Sequence, residues 1–396
     1  MTESVIKQKV DLIAECIFDK VQKTEWDSFG LYSGEFGRLL FLLYYSRYSQ
    51  SEKHALLTEQ YAVKLMEQFA EKENQHTFCS GLSGILYLFD FLREQSIIDL
   101  DISDVQPLLE NYIVSKMRWD IRQMNYDFMH GALGVGLYFL KRRTNPEYIR
   151  ELIDFLYDTA EKDKIHQIFK WESVIDHEKN LIGYNLSLCH GISSIIIFLS
   201  RVVRIGMSDE EIREMLSGAV RYVLSQQKDS VQFGSFFPNF IIKNLPESVS
   251  KSRMAWCYGD LGIGLALWQA GKALEKMEWK EKGLEILLQS TQRRTYHDSY
   301  AIDAGICHGS AGIAMTYRRM FFETQRDEFK DTALFWINQT LDFSSHEDGL
   351  AGYRTFVKDC WKCDYSLLTG ISGIGLVLLS YLEDDQQEWD EMLLLS

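Results

Sequence analysis

The stretch "AGICHGSAGIA", Ala304–Ala314, sets a cysteine beside a histidine and follows them with small residues that open an apolar run. Seven copies of this pattern occur along the chain. They are "YSGEFGRLLFLL" at Gly34, "CSGLSGILYLF" at Gly81, "MHGALGVGLYFL" at Gly131, "CHGISSIIIFL" at Gly191, "CYGDLGIGLALW" at Gly259, "CHGSAGIAMTY" at Gly309 and "LTGISGIGLVLL" at Gly370. Each reads polar–Gly–x–x–small and then apolar; copy 4 carries Ser194 at the small position. The spacing between copies, roughly 47 to 68 residues, is the size of a helical-pair repeat.

Between copies lie charge-rich stretches with apolar residues at helical spacing, as in "DEEIREMLSGAVRYVLSQ" from Asp209 and "FKDTALFWINQTL" from Phe329. Each unit therefore reads as one buried helix opened by the glycine motif and one half-exposed helix. Glycine, lacking a Cβ, lets helix ends crowd together. Seven uniformly apolar inner helices favour an all-α architecture closed into a ring, an (α/α)7 toroid occupying residues 1–396 as one domain, over an open solenoid. The motif loops then share one end of the ring, where helix N-termini create a positive potential. Residues 163–186 and 228–250 break the pattern with aromatic, turn-rich sequence, and a strand-containing insertion is expected within one or the other.

Composition narrows the function. Only four prolines in 396 residues suits a helical protein. The net charge of −15 argues against nucleic-acid binding and fits a cationic partner. No apolar run reaches membrane-spanning length, and the N-terminus lacks the form of a signal peptide, so a cytoplasmic location is expected. There the seven cysteines stay reduced, which favours metal or catalytic roles over disulfides.

Aligned on the motif glycine, the position two before it is cysteine in four copies (Cys79, Cys189, Cys257, Cys307), and the position just before it is histidine in three (His130, His190, His308). A thiol also packs well at a crowded helix start, but thiols and imidazoles converging at one end suit zinc. Spacing leaves two sets open: Cys257, Cys307 and His308, or Cys189, His190 and Cys257. Three protein ligands leave a fourth position for substrate, the catalytic arrangement.

"WCYG" at Trp256–Gly259 and "CHG" at Cys307–Gly309, on a sevenfold glycine repeat, closely resemble the lanthionine synthetase C family, the cyclases of lanthipeptide biosynthesis. The resemblance spans nearly the whole chain, and its length is similar to that of stand-alone cyclases. It implies the toroid, one zinc ion held by Cys257, Cys307 and His308, and a strand-rich insertion that helps to hold a leader peptide. The implied reaction joins a precursor cysteine to dehydroalanine or dehydrobutyrine as a thioether. His190 in "NLSLCHG" is then the proton handler, and Asp127 in "NYDFMHG" orients it. Arg253 in "SRMAWCYG" stabilises the enolate, and Tyr258 is a further donor. Structural alternatives are core packing for His190, a helix cap for Asp127 and a surface charge for Arg253.

The implied partners are a dehydrated precursor peptide, a separate dehydratase and an ABC exporter, in a complex that would bring the protein to the membrane periphery. Two rival readings are a precursor-binding scaffold with structural zinc, and an enzyme adding glutathione to dehydro residues. Cys189, His130 and the Cys360/Cys363 pair depart from the family pattern, and packing is the expected role of the first two.

Overall fold

The computed structural model describes residues 3–22, 26, 28–72, 75–176, 178–245, 247, 249–383 and 388–396. Its helices are α1 (Glu3–Val21), α2 (Glu35–Ser49), α3 (Glu52–Ala70), α4 (Leu82–Glu94), α5 (Gln106–Arg122), α6 (Ala132–Arg142), α7 (Pro146–Thr159), α8 (Ile192–Arg204), α9 (Glu210–Ser225), α10 (Ser230–Phe233), α11 (Asp260–Ala273), α12 (Met277–Ser290), α13 (Tyr296–Ser299), α14 (Ser310–Thr324), α15 (Asp327–Asp342) and α16 (Ile371–Leu382). A 3-10 helix spans Glu388–Leu393. The strands are β1 (Glu161–Asp163), β2 (Ile168–Lys170), β3 (Ser173–Asp176), β4 (Leu181–Asn185), β5 (Phe240–Ile242), β6 (Thr355–Val357) and β7 (Cys360–Lys362).

Every motif glycine is the residue just before a helix, so α2, α4, α6, α8, α11, α14 and α16 are the seven glycine-opened helices. They are apolar nearly all round: Ala132–Leu140 of α6 and Ile192–Ser200 of α8 are wholly buried, as helices enclosed on every side must be. The helices between them are amphipathic. On α7 the buried Ile149, Leu152, Ile153 and Leu156 follow the i, i+3, i+4, i+7 stripe. Each such side chain contributes about 1.5–3 kcal/mol on burial. Pro146 starts α7 at a position where its missing N–H costs nothing, and Asp209 caps α9 by accepting the Ile212 N–H at 2.9 Å.

Both glycines of the motif lie against the loop that precedes their helix. The first meets its own loop: a Cβ at Gly191 would collide with the Asn185 carbonyl, six residues back. The second does the same, Gly84 against the Phe78 carbonyl and Gly373 against that of Leu367, and it also admits a neighbour. Gly37 closes on Leu367, Gly84 on Leu31, Gly262 on Leu188 and Gly373 on Ile306, each a residue of an adjacent copy's loop. Both glycines thus fold the loop that precedes the helix, and the second also receives the neighbouring copy.

The chain divides into two compact units, residues 1–109 with 301–393, and 110–300 with 394–396. The first holds copies 6, 7, 1 and 2, joined loop to loop by backbone hydrogen bonds: Cys307 N–H to the Leu368 carbonyl (2.9 Å), Leu368 N–H to Tyr32 (3.0 Å) and Tyr32 N–H to Cys79 (2.9 Å). The last copy therefore lies beside the first. Helix α1 packs on α16, burying Ile6, Val10, Ile13 and Ile17, so the chain's first helix serves as outer partner to its last inner one. Arg319 and Asp390, both nearly inaccessible, form an ion pair that ties α14 to the 3-10 helix.

The second unit holds copies 3, 4 and 5, with α8 packed against both α6 and α11. Strands occur in both pattern-breaking segments and pair with each other: β4 is the centre of an antiparallel β3–β4–β5 sheet in which Asn185 faces Phe240. Residues 177, 246 and 248 of those segments lie outside the described residues. The sheet has a positional consequence, because β4 runs directly into the loop of copy 4. Among the described residues no helix is long and apolar enough to cross a membrane.

Candidate functional site

In copy 3, Asn125 opens the loop by accepting the Asp127 N–H at 3.2 Å and donating to the His130 carbonyl at 3.2 Å. Asp127 then divides its carboxylate. Oδ1 accepts the N–H groups of Met129 and His130 at 2.7 and 2.8 Å, and Oδ2 stands 2.7 Å from Nδ1 of His190 in copy 4. The residue thus organises its own loop and binds the histidine at once.

Copy 4 repeats the turn. Asn185 accepts the Ser187 N–H at 2.9 Å, and the Ser187 hydroxyl accepts the His190 N–H at 3.0 Å, fixing the backbone that carries the ring. Burial alone would lower the imidazole pKa. The hydrogen bond and charge of Asp127, with the Cys257 sulfur nearby, outweigh it and hold His190 above its ordinary 6.5. The exposed His130 ring stacks on His190, 6.0 Å between centroids and 14° from parallel. Tyr258 flanks the ring from copy 5 at 6.2 Å. Burial raises the Tyr258 pKa, so it stays a neutral phenol and keeps a proton to donate.

Copy 5 is joined to copy 4 by the Cys257 carbonyl, which accepts from Leu188 N–H (3.1 Å) and Cys189 N–H (3.4 Å). Beneath the loop, fully buried Asp260 accepts the N–H groups of Phe236 and Phe237, both at 3.0 Å, and pairs with Arg293 at 3.1 Å. Arg293 in turn donates to the carbonyls of Ser252 and Asp298. This clamp fixes the segment that leads through Arg253 to Cys257. Gly259 sits at φ +89°, and a Cβ there would strike the Arg253 carbonyl. Arg253 is half-buried, and its guanidinium pairs with no carboxylate among the described residues.

In the other unit, Cys307 and His308 occupy the loop of copy 6, each partly accessible. Buried Asp303 opens that loop, accepting from Gly305 N–H (3.1 Å) and Phe356 N–H (3.0 Å), and its Oδ2 lies 3.5 Å from Nε2 of His308. Among the described residues no three of His, Cys, Asp and Glu form a gathered cage; Cys257 belongs to one unit, Cys307 and His308 to the other. The donor chemistry fits zinc: two thiols, an imidazole, and a carboxylate behind the imidazole, as zinc histidines commonly have.

Four expected residues, Asp127, His190, Arg253 and Tyr258, thus share one unit with Cys257, and Asp127, His190 and Tyr258 form one cluster. Cys189 and Cys79 are buried in their loops. Cys360, in β7, and Cys363, just after it and next to Asp364 of the copy 7 loop, are exposed, and Cys363 donates to the Asp348 carbonyl at 3.4 Å. A cavity of about 470 Å³ lies apart from the cluster, between the β1–β2 hairpin and α9, lined by Lys162, Phe169, Arg213 and Arg221 among others. Asn185, Ser187, Asp260, Arg293 and Asp303 were not singled out from the sequence. The signal was present for three copies beside copy 3: position six before the glycine is Asn125, Asn185, Asp303 and Asp364 in copies 3, 4, 6 and 7.

Fold and site define a helical-repeat protein whose glycine-opened loops carry a carboxylate-backed imidazole and a conspicuous thiol set. The chain belongs to the lanthionine synthetase C-like protein family, which it matches over residues 25–394. It is 25% identical over 328 residues to the nisin biosynthesis protein NisC of Lactococcus lactis subsp. lactis, covering 76% of this chain and 73% of that one. It is 21% identical over 267 residues to the glutathione S-transferase LANCL1 of Danio rerio, covering 65% of this chain and 57% of that one. The solved structure of a nisin cyclase superposes with a TM-score of 0.78 at 20% identity, over 98% of this chain and 97% of the other. That likeness establishes the fold and fits the helical toroid expected from the repeat.

Proposed function

We propose that the protein is a zinc-dependent lanthipeptide cyclase. It adds a cysteine thiol of a precursor peptide to dehydroalanine or dehydrobutyrine in the same peptide, closing lanthionine and methyllanthionine rings. Family membership supports the reaction class, and the single observation that carries the chemistry is the Asp127–His190 pair at 2.7 Å.

Asp127 accepts the Nδ1–H of His190, so the working nitrogen is Nε2. The raised pKa of His190 favours the protonated ring, which carries its second proton there. The peptide thiolate attacks the β-carbon, the π electrons move onto the neighbouring carbonyl as an enolate, and His190 delivers its proton to the α-carbon. Arg253, whose guanidinium pairs with no carboxylate among the described residues, serves the enolate oxygen, and the Tyr258 phenol is a second donor. Cys257, Cys307 and His308 would hold the zinc. When bound, that ion would act as a Lewis acid, lowering the pKa of a peptide thiol so that it gives up its proton to solvent at neutral pH. The N-termini of α6, α8 and α11 add positive potential where negative charge develops.

The partners of this reading are a dehydrated precursor, a dehydratase that supplies it and an ABC exporter that takes the product. Its setting is the cytoplasm, with a complex at the membrane periphery. The glutathione-adding alternative draws on the relative from Danio rerio, whose name carries that activity. Purified protein given a dehydrated precursor, with and without glutathione, separates the two. Loss of peptide thiols without mass change supports cyclisation, and gain of glutathione mass supports the alternative.

A further inference from the structure

Four motif loops begin with the same turn, in which Oδ1 of the residue six before the glycine accepts an N–H two residues on. The pairs are Asn125–Asp127 (3.2 Å), Asn185–Ser187 (2.9 Å), Asp303–Gly305 (3.1 Å) and Asp364–Ser366 (2.7 Å). Asparagine serves in two of them, so the turn requires an acceptor and not a charge. The charge therefore calls for its own explanation in the two aspartates. For half-buried Asp364 the second oxygen accepts the Thr369 hydroxyl at 2.5 Å. Asp303 is different. It is 1% exposed, and its second oxygen receives the Phe356 N–H and faces His308 Nε2 at 3.5 Å. A buried carboxylate is costly unless positive charge stands near it.

We propose that Asp303 is the positioning carboxylate of His308: it takes the Nε2 side of the ring and so directs Nδ1 toward a metal. The proposal rests on the zinc reading above and adds to it the residue that sets ring orientation and ligand basicity. Such a partner typically changes metal affinity about 10–100-fold. The same turn in copy 7 supplies an internal control, since D364N removes a carboxylate from an equivalent loop that carries no histidine next to its glycine.

The test measures zinc binding by the full chain, without peptide, in competition with a chromophoric chelator. Wild type and D364N are expected to take up one zinc per chain with equal affinity. D303N keeps the acceptor that the turn uses in copies 3 and 4, and is expected to bind about 10–100-fold more weakly. Equal affinity for D303N and wild type overturns this inference and leaves the zinc reading standing. A wild-type protein that binds no zinc overturns both. Nitrogen NMR of 15N-histidine-labelled, zinc-loaded wild type provides a second measurement that needs no variant. A metallated Nδ1 with a protonated Nε2 on His308 is expected, and a metallated Nε2 contradicts the assignment.

Discussion

Nδ1 of His190 lies 2.7 Å from Oδ2 of Asp127, a residue 63 positions earlier in the chain, while the other oxygen of the same carboxylate holds the backbone of Met129 and His130. One side chain thus couples the shape of loop 3 to the protonation of loop 4. D127N removes the hydrogen bond and charge that do most to raise the His190 pKa, leaving burial, which lowers it, against the weaker influence of Cys257. The alkaline limb of the kcat profile should therefore move to lower pH in D127N, and H190A should lose about 10²–10⁴-fold in kcat. An unmoved alkaline limb in D127N would contradict the pairing.

The same pair makes a stability prediction with a definite sign. A histidine whose folded pKa exceeds 6.5 contributes its full stabilisation below pH 6.5 and loses it as pH rises through the folded value. The difference in Tm between wild type and D127N should be largest in mildly acidic buffer and narrow toward alkaline pH. A gap that widens with pH reverses the sign and rejects the account.

Asp260 and Arg293 form the buried clamp under Arg253 and Cys257. D260A leaves a buried guanidinium uncompensated and two N–H groups, of Phe236 and Phe237, without their acceptor. The expected loss is about 3–5 kcal/mol in denaturant unfolding. A loss under 1 kcal/mol would show that the clamp is dispensable.

Gly259 requires both its positive φ and its missing Cβ. G259A combines strain in a backbone region hostile to side chains with a collision at the Arg253 carbonyl, and should cost about 1–3 kcal/mol. The variant should also disturb Arg253 and Cys257, so activity should fall at temperatures where the fold persists. Full activity at wild-type Tm would refute the reading of this loop.

Helix α1 is expected to be integral to the fold, because its inner face completes the last repeat. Ile13 is fully buried against the region of Gly375 and Phe41, whereas neighbouring Leu12 is 40% exposed. I13A should cost about 2–5 kcal/mol and L12A about 0.5 kcal/mol or less. Comparable costs for the two would mean that α1 is not docked as described.

Much of this was legible in the chain. The sevenfold glycine repeat located where each of the seven inner helices opens, because a glycine with a carbonyl pressed against it leaves an unmistakable mark. The amphipathic stripes from Asp209 and Phe329 located α9 and α15 for the same kind of reason, burial on one face. Other features were not legible. Pairing of β4 with β5 joins segments over fifty residues apart, and backbone hydrogen bonds of that kind leave no side-chain pattern in strands of three to five residues. The role of α1 as partner to α16 is likewise a long-range fact, without a motif of its own. Asp303 and the Asp260–Arg293 clamp act from beneath the loops, so an alignment restricted to the two positions before each glycine passes over them.

The central claim is that a metal-dependent site in this chain turns peptide thiols into thioethers. The most direct measurement incubates the purified protein with a dehydrated precursor and counts free thiols over time, with and without a zinc chelator. The account predicts that thiols disappear one per ring formed, that the chelator stops the loss, and that added Zn²⁺ restores it. Thiols that vanish at the same rate in the chelated protein, or in C307A, would contradict it.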